Sequence, residues 1–589
     1  QLVTEEFYAL GKLAWLGMGL AHYDGNTTLC MASAVSGYKL SFGTDGPPGC
    51  YEDLELADVV VLWGANIADN HPLLVPRLLA NESMELIVVD PRVTKTAQLA
   101  DQHVPVAPRT DVTLLNAILR ILLDEDLVDL QAARALVTDL DELLVHLAAV
   151  DLDAAATECG VALTEIRRMA LAIGRAERCL VAWSMGVNHS AQGTETVTLL
   201  NTLCVLTGNI GRPGAAPFSI TGQCNAMGTR ESGFTASMPG YRSYDDPAHR
   251  AELAALWGVD EARLPTERGR AYPDIVNAVM NGRIKGLWII GTNPLVSFPN
   301  REVLEIALGR LDLLVVQDGF ETPTTAIADV VLPAAIWGEK DGTYTNSERR
   351  VSRVRAAVAP PGEARADFDI FLAIAERWGC RDELFAGWTT PRDAFEEWRR
   401  VSAGRPCDYS GITYERIDAA GGVQWPCPTD DPTVPLGGTP RLYTDLQFNR
   451  PDRRAAVRAV TRQPLRHPPG REYPLLLNTG RTVEHWHTRT KTGRVPILEG
   501  LAPEAWVEIH PTDANELGVR SGELVRVTSS RGSVDKLRAR VTEIVRQGEV
   551  FIPFHWDERC ANRLTTDECD PISREPNYKQ CAVRVEAAH

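Results

Sequence analysis

Val59-Val60-Val61-Leu62-Trp63-Gly64-Ala65-Asn66, with Pro72 a short way on, decides the reading of this chain, because the pattern occurs twice. The second copy is Leu287-Trp288-Ile289-Ile290-Gly291-Thr292-Asn293, with Pro299 at the same spacing. Each copy runs into a second apolar stretch that ends in an acid: Leu86-Ile87-Val88-Val89-Asp90, and Leu313-Leu314-Val315-Val316-Gln317-Asp318. Each then carries a matching pair, Ala100-Asp101 and Ala328-Asp329, followed by Pro105 and Pro333. Short apolar runs bounded by Gly, Asn and Pro read as buried parallel strands with loops at their C-terminal ends. Open α/β sheets bind ligands at those loops. The loop residues match as well as the strand residues do. The repeat therefore predicts two nucleotide-like sites, or one ligand with two nucleotide arms, over a duplication kept for its fold alone.

A chain of 589 residues is too long for one core, and several domains are predicted. A net charge of -18 argues against nucleic acid or a membrane surface as the main partner. No apolar run approaches the roughly 20 residues that span a bilayer. The twelve cysteines are scattered, and none form a C-x-x-C pair, so the chain carries no zinc or iron–sulfur signature. They fit reduced, mostly buried thiols of a cytoplasmic protein.

Residues 1 to about 20 predict a helix, with Thr4 placed to cap it and Glu5 and Glu6 in the first turn. Asp111 to about Gly174 is helix-rich. Phe218 to Arg242 is rich in Gly, Thr, Ser and Met with weak periodicity, and reads as a functional loop. The second α/β unit runs from about Tyr272 to Trp378, and Cys427 to Pro440 reads as a surface connection. From Tyr473 the pattern changes to short β-rich runs at 475–477, 505–509, 524–527 and 550–552, separated by turns such as Arg531-Gly532 and Gln547-Gly548. These predict a C-terminal β-barrel. The fold class is α/β, with two pseudo-repeated Rossmann-like domains and a barrel. The domain boundaries are 1–30, leading to Cys30; 31–235; 236–465; and 466–589.

Cys30 lies in Thr27-Thr28-Leu29-Cys30-Met31-Ala32-Ser33-Ala34, where small neighbours let a bulky ligand approach. A thiolate there suits a soft metal centre. The stretch from Leu29 through Pro72 resembles the molybdopterin oxidoreductases of the dimethyl-sulfoxide-reductase superfamily, and within it the prokaryotic nitrate reductases, assimilatory and periplasmic. A second match runs from Phe218 to Arg230. A third is NTGRTVEHWHTRT from Asn478, then FIPFHW from Phe551 and DPISREP from Asp570. The three matches span essentially the whole chain in the family's order.

The resemblance implies molybdenum held by two molybdopterin guanine dinucleotides, which accounts for the repeat: two α/β halves around a bis-pterin cofactor, two nucleotide arms. It makes Cys30 the protein ligand to the metal. It assigns nucleotide-arm positions to Gly64, Asn66, His71 and Asp90 in the first half, and to Gly291, Asn293, Ser297 and Asp318 in the second. Asp111, Gly186 and Asn188 join them as cofactor residues. The residues themselves leave a second role open for Asp90 and Asp318, capping the turns that follow. In the last segment the resemblance assigns cofactor contact to Thr479, Arg481, His485, His487 and Thr488, and more weakly to Asn562 and Lys579. A zinc site at the His-rich run is rejected, since no further Cys or His pair completes it.

On the substrate side the resemblance points to Gln223, Arg230 and Met185. Nitrate is a planar anion that keeps its charge at working pH. A guanidinium offers it charge and a planar donor fork, Gln a further donor, and Met a soft wall. The implied activity is reduction of nitrate to nitrite by oxygen-atom transfer, in the cytoplasm, with ferredoxin, a flavoprotein or a fused reductase domain as electron donor. The rivals are a formate dehydrogenase-like enzyme and a non-catalytic electron-transfer subunit. Formate dehydrogenases as a family place His after the metal-binding residue, where this chain has Met31. The family also carries a [4Fe-4S] cluster on N-terminal cysteines that this chain lacks. The expectation is a longer protein whose upstream residues hold them.

Overall fold

The structure, a computed structural model, describes residues 2–588. By spatial contact it forms two compact units. One comprises the chain up to Thr28, Thr221–Thr292 and Ile306–Pro440. The other comprises Leu29–Ile220, Asn293–Glu305 and the chain from Arg441 onward.

In the second unit, β1 (Val59–Trp63), β2 (Glu85–Val89), β3 (Gln102–Val104), β4 (Cys179–Trp183) and β5 (Ala216–Ser219) form a parallel sheet in the order β3-β2-β1-β4-β5. Trp63 pairs with Val89 on one side and Trp183 on the other. Every residue of β1 and β4 is buried, which is why their sequences run apolar without alternation. The helix-rich stretch contains the helices Asp111–Asp124, Leu140–Ala148, Leu152–Cys159 and Leu163–Arg175.

The first unit holds the second copy as a smaller parallel sheet, β6 (Gly286–Ile290), β7 (Leu313–Asp318) and β8 (Val330–Pro333), in chain order. The sequence repeat extends to individual hydrogen bonds. Gly64 N–H donates to Val89 O at 2.8 Å, and Gly291 N–H to Gln317 O at 2.8 Å. Asp101 accepts Leu86 N–H at 2.8 Å, and Asp329 accepts Leu314 N–H at 2.7 Å. The matched Ala-Asp pairs are thus the residues that close each half's strand pairing, with aspartate standing in for a neighbouring strand.

The C-terminal segment is a closed barrel of β9 (Leu475–Gly480), β10 (Trp506–Ile509), β11 (Leu524–Ser529), β12 (Ser533–Val541), β13 (Glu549–Pro553) and β14 (Cys581–Ala587), in the order β9-β13-β10-β12-β11-β14. β9 closes it by pairing with both β13 and β14. Leu477, Val507, Val525, Leu537, Val550 and Val583 fill its interior.

Two local expectations change. Thr4 does not cap the first helix (Thr4–Lys12) but opens it. Its hydroxyl donates to Asn225 Oδ1 and Thr343 O, both at 3.2 Å, while Glu6 reaches back to Val3 N–H at 2.9 Å. The stretch 218–242 is not all loop. It begins on β5 and contains the helix Ala226–Ser232, whose every residue is buried. A helix buried on all sides has no polar stripe, so its periodicity is invisible.

Candidate functional site

The loops after β1, β2 and β4, the end of β9 and the segment before β14 line a solvent-open cleft. Gly64 sits at φ +55°, a left-handed conformation suited to glycine. Gly186 N–H donates to Gly64 O at 3.0 Å, so the two loops touch backbone to backbone. A Cβ on Gly186 would lie 2.5 Å from Gly64 Cα. Both glycines are required by this crossing.

The cleft gathers charge in a partly desolvated space. Lys579 donates from Nζ to Thr479 O, and burial lowers its ammonium to about 8, with Asp90 opposing the shift. Arg481 is lowered to about 10 by burial, against an upward pull from Cys30. Arg109, at φ +70°, is buried with its Nε unpartnered, and burial lowers it too. Burial raises the carboxyls of Asp90 and Asp111, and Trp63 Nε1–H donates to Asp111 at 2.7 Å. Desolvated cations beside backbone loops fit phosphate oxygens, and the carboxylates offer acceptors to hydroxyl or ring N–H groups.

Cys30 is 6% exposed, and its Sγ lies 3.8 Å from Met185 Sδ. Asn188 Nδ2–H donates to Cys30 O at 3.3 Å and contacts Met31 Sδ at 3.1 Å, holding the Cys30 carbonyl and the Met31 side chain. The helix Ala32–Phe42 that follows is anchored by Ser33 N–H, which donates to the Glu575 carboxylate at 2.7 Å. The thiol thus has a thioether beside it and the Arg481 charge acting on it, soft and cationic surroundings that suit a thiolate ligand.

The cleft itself therefore brings together Gly64, Asn66, Asp90, Asp111, Met185, Gly186, Thr479, Arg481 and Lys579. It adds Arg92 and Arg109, which sequence reasoning missed because their roles depend on backbone geometry. Other candidates act one layer back. The ring of His487, whose φ is +44°, lies 2.7 Å from Arg481 Nη2. His71 is lowered to about 3 by burial and by Arg481. His485 has both ring nitrogens engaged, with Thr492 Oγ1 at 3.1 Å and Ala502 O at 2.7 Å, and shapes its loop. Thr488 bonds Thr490 at 2.8 Å. Asn562 donates to Val296 O at 2.7 Å, and Ser297 to Asn293 O at 3.1 Å, so these residues hold the second loop.

Asp90 caps the turn that follows it, its Oδ1 accepting Arg92 N–H at 2.9 Å, and it also lines the cleft. Asp318 accepts Phe320 N–H at 3.2 Å in the same turn of the other copy, where Gly291 sits at φ +61°. Within the first unit, Gln223 lies on the loop that leads into the helix Ala226–Ser232. Arg230 is buried on that helix beside Met227 Sδ. Asn225 pins the helix start, accepting Thr345 N–H at 2.8 Å and donating to Leu2 O at 3.0 Å. Cys224, between Gln223 and Asn225, is exposed; the other cysteines are buried apart from Cys569, which is half-buried.

Residues 1–377 match the family model described as molybdopterin oxidoreductase. The chain belongs to the molybdopterin oxidoreductases. Residues 475–582 of this oxidoreductase, the barrel, match the molydopterin dinucleotide binding domain. The chain is 40% identical to the nitrate reductase of Synechocystis sp. over 99% of its own length and 83% of that protein. It is 35% identical to the assimilatory nitrate reductase catalytic subunit of Bacillus subtilis (99% and 82%). It is 36% identical to the F420-dependent formate dehydrogenase subunit alpha of Methanocaldococcus jannaschii (99% and 84%). Its fold matches that of acetylene hydratase from Pelobacter acetylenicus, with a TM-score of 0.76 at 18% identity over 99% of this chain and 84% of that one.

Proposed function

We propose that this oxidoreductase reduces nitrate to nitrite: one nitrate, two electrons and two protons give nitrite and water. The observation that carries the choice over formate oxidation is Met31, a fully buried thioether directly after Cys30, where the formate enzymes as a family have an ionisable His. Full-length similarity to nitrate reductases supports the same reading.

The residues fit a molybdenum–pterin group. Cys30 would supply the thiolate that holds the metal, with Arg481 as its counter-charge. Arg109, Arg481 and Lys579 would take phosphate oxygens. Asp90 and Asp111 suit a guanine arm, because a carboxylate accepts from both a ring N–H and an amino group. The bound metal supplies the two-electron change. Around it the protein binds, orients and tunes. Arg230 and Gln223 are the proposed donors to nitrate oxygens, and Met185 the soft wall beside the thiol. A [4Fe-4S] cluster, a cytoplasmic location and a ferredoxin, flavoprotein or fused-domain donor complete the proposal. Among the described residues no helix is long and apolar enough to cross a membrane.

The test is direct. The molybdenum-loaded protein with reduced viologen should form nitrite from nitrate and should not reduce dyes with formate. Formate-dependent dye reduction without nitrite formation would overturn the assignment in favour of a formate enzyme.

A further inference from the structure

Glu231 breaks a local rule. It stands at the C-terminal end of the short helix Ala226–Ser232, where the helix dipole disfavours an acid, and it is fully buried. Burying a carboxylate is costly unless donors satisfy it. Here they do. Trp425 Nε1–H donates to Oε1 at 2.6 Å, Thr345 Oγ1 bonds Oε2 at 3.3 Å, and the Tyr409 hydroxyl also donates to Oε2. The Tyr409 and Thr345 oxygens lie 2.6 Å apart, so with Tyr409 donating to the carboxylate the Thr345 hydrogen goes either to Oε2 or to the Tyr409 oxygen. These donors are themselves fixed. The Tyr409 ring packs edge-on against Trp398 at 5.5 Å, and the Arg349 guanidinium lies 5.3 Å from the Trp425 ring while donating to Pro440 O at 2.6 Å. All of these groups lie in the first unit.

A helix of seven residues has little stability of its own and depends on tertiary anchors. Asn225 anchors its start and Glu231 its end. Arg230 is the next residue back, turned about 100° around the axis, so what fixes Glu231 fixes the direction of Arg230. A local violation with dedicated partners is characteristic of functional sites.

We propose that Glu231 is a positioning residue, clamped by Tyr409, Thr345 and Trp425, that sets the guanidinium of Arg230 for an oxyanion substrate. The inference rests on the nitrate reading and adds a residue that acts on it through another. Glu231→Gln keeps the shape but removes the charge: its one oxygen can accept from Trp425 only if the Tyr409 and Thr345 hydroxyls reverse to accept from the new amide, so the clamp's charge-assisted bonds become weaker neutral ones. In the molybdenum-loaded enzyme the variant should raise KM for nitrate about tenfold and leave kcat within about twofold, as expected for a lost ground-state contact. Tyr409→Phe removes one donor and should move KM in the same direction by less. The double variant Arg230→Ala/Glu231→Gln should be no worse than Arg230→Ala alone, because both changes remove one function. Independently of turnover, backbone hydrogen exchange across Ala226–Ser232 should accelerate about tenfold in Glu231→Gln.

Unchanged exchange with unchanged KM would overturn the proposal, as would additive losses in the double variant. Accelerated exchange in a protein whose wild type makes no nitrite would uphold the clamp and reject the nitrate reading instead.

Discussion

Gly186→Ala tests the crossing of the β1 and β4 loops, on which one wall of the cleft depends. Gly186 lies in the helical turn Met185–Asn188, so alanine suits its backbone and only collision counts. The added Cβ would sit 2.5 Å from Gly64 Cα and 2.7 Å from Gly64 O. Ordinary contact begins at 3.4 Å, so the loops must part by about 0.9 Å. Every colliding atom is backbone, and the 2.8 Å bond from Gly64 to Val89 and the 3.0 Å bond from Gly186 to Gly64 resist that movement. Overpacking costs about 1–3 kcal/mol, and rigid backbone on both sides puts this case near about 3 kcal/mol. The assay is calorimetric unfolding of cofactor-free protein, with molybdenum content per chain after loading. The midpoint should fall by several degrees, and bound molybdenum should drop. Gly500→Ala is the control: nothing lies within 4 Å of its added carbon, and an exposed helical Gly→Ala change is neutral or stabilising by up to about 1 kcal/mol. If Gly186→Ala unfolds within about 0.5 kcal/mol of wild type and loads normally, the crossing is not a constraint and the reasoning fails.

Three further outcomes are expected. Cys30→Ala should stay folded, losing about 1 kcal/mol, while its molybdenum spectrum changes and nitrate turnover nearly vanishes; full turnover would remove Cys30 as the ligand. Arg230→Ala should lower kcat/KM for nitrate roughly 10- to 100-fold in steady-state assays, since a charged hydrogen bond contributes about 1.5–3 kcal/mol, and Arg230→Lys should recover part of this. Burial holds His555 neutral, moving it from 6.5 down to about 3, with Nε2 accepting Thr482 N–H at 2.9 Å and Nδ1 donating to His487 O at 2.6 Å. The unfolded chain takes up this proton below 6.5 and the folded chain near 3, so its stabilisation holds above pH 6.5 and is lost as pH falls through that window. His555→Asn should flatten the acid limb of the stability–pH curve between those values, and a parallel curve would contradict the shift.

The repeat was legible because buried parallel strands keep both their apolar runs and their loop chemistry close together in sequence. The barrel was legible in four of its strands. β12 escaped because Asp535, Lys536, Arg538 and Arg540 face outward along it, and Lys536 at φ +57° puts two exposed residues in a row. The order β9-β13-β10-β12-β11-β14 follows from long-range closure and leaves no local trace. In the site, Cys30, Asp90 and Arg481 were read from motifs. Arg109 was not, because its importance lies in a left-handed backbone and a buried guanidinium rather than in spacing. His485 was assigned to the cofactor by resemblance, and the structure adds that both its nitrogens also engage its own loop. Composition cannot distinguish those uses.

The exposed thiol of Cys224 has a bearing on how inhibition is interpreted. Inactivation by an alkylating reagent is naturally ascribed to the metal-binding sulfur. Here Cys30 is buried, and the most exposed thiol among the described residues sits next to Gln223, so a maleimide would reach the proposed substrate loop first. Protection by Cys224→Ser would expose that misattribution. The same accessibility would let a single nitroxide, attached at residue 224, report on the loop from within a working enzyme.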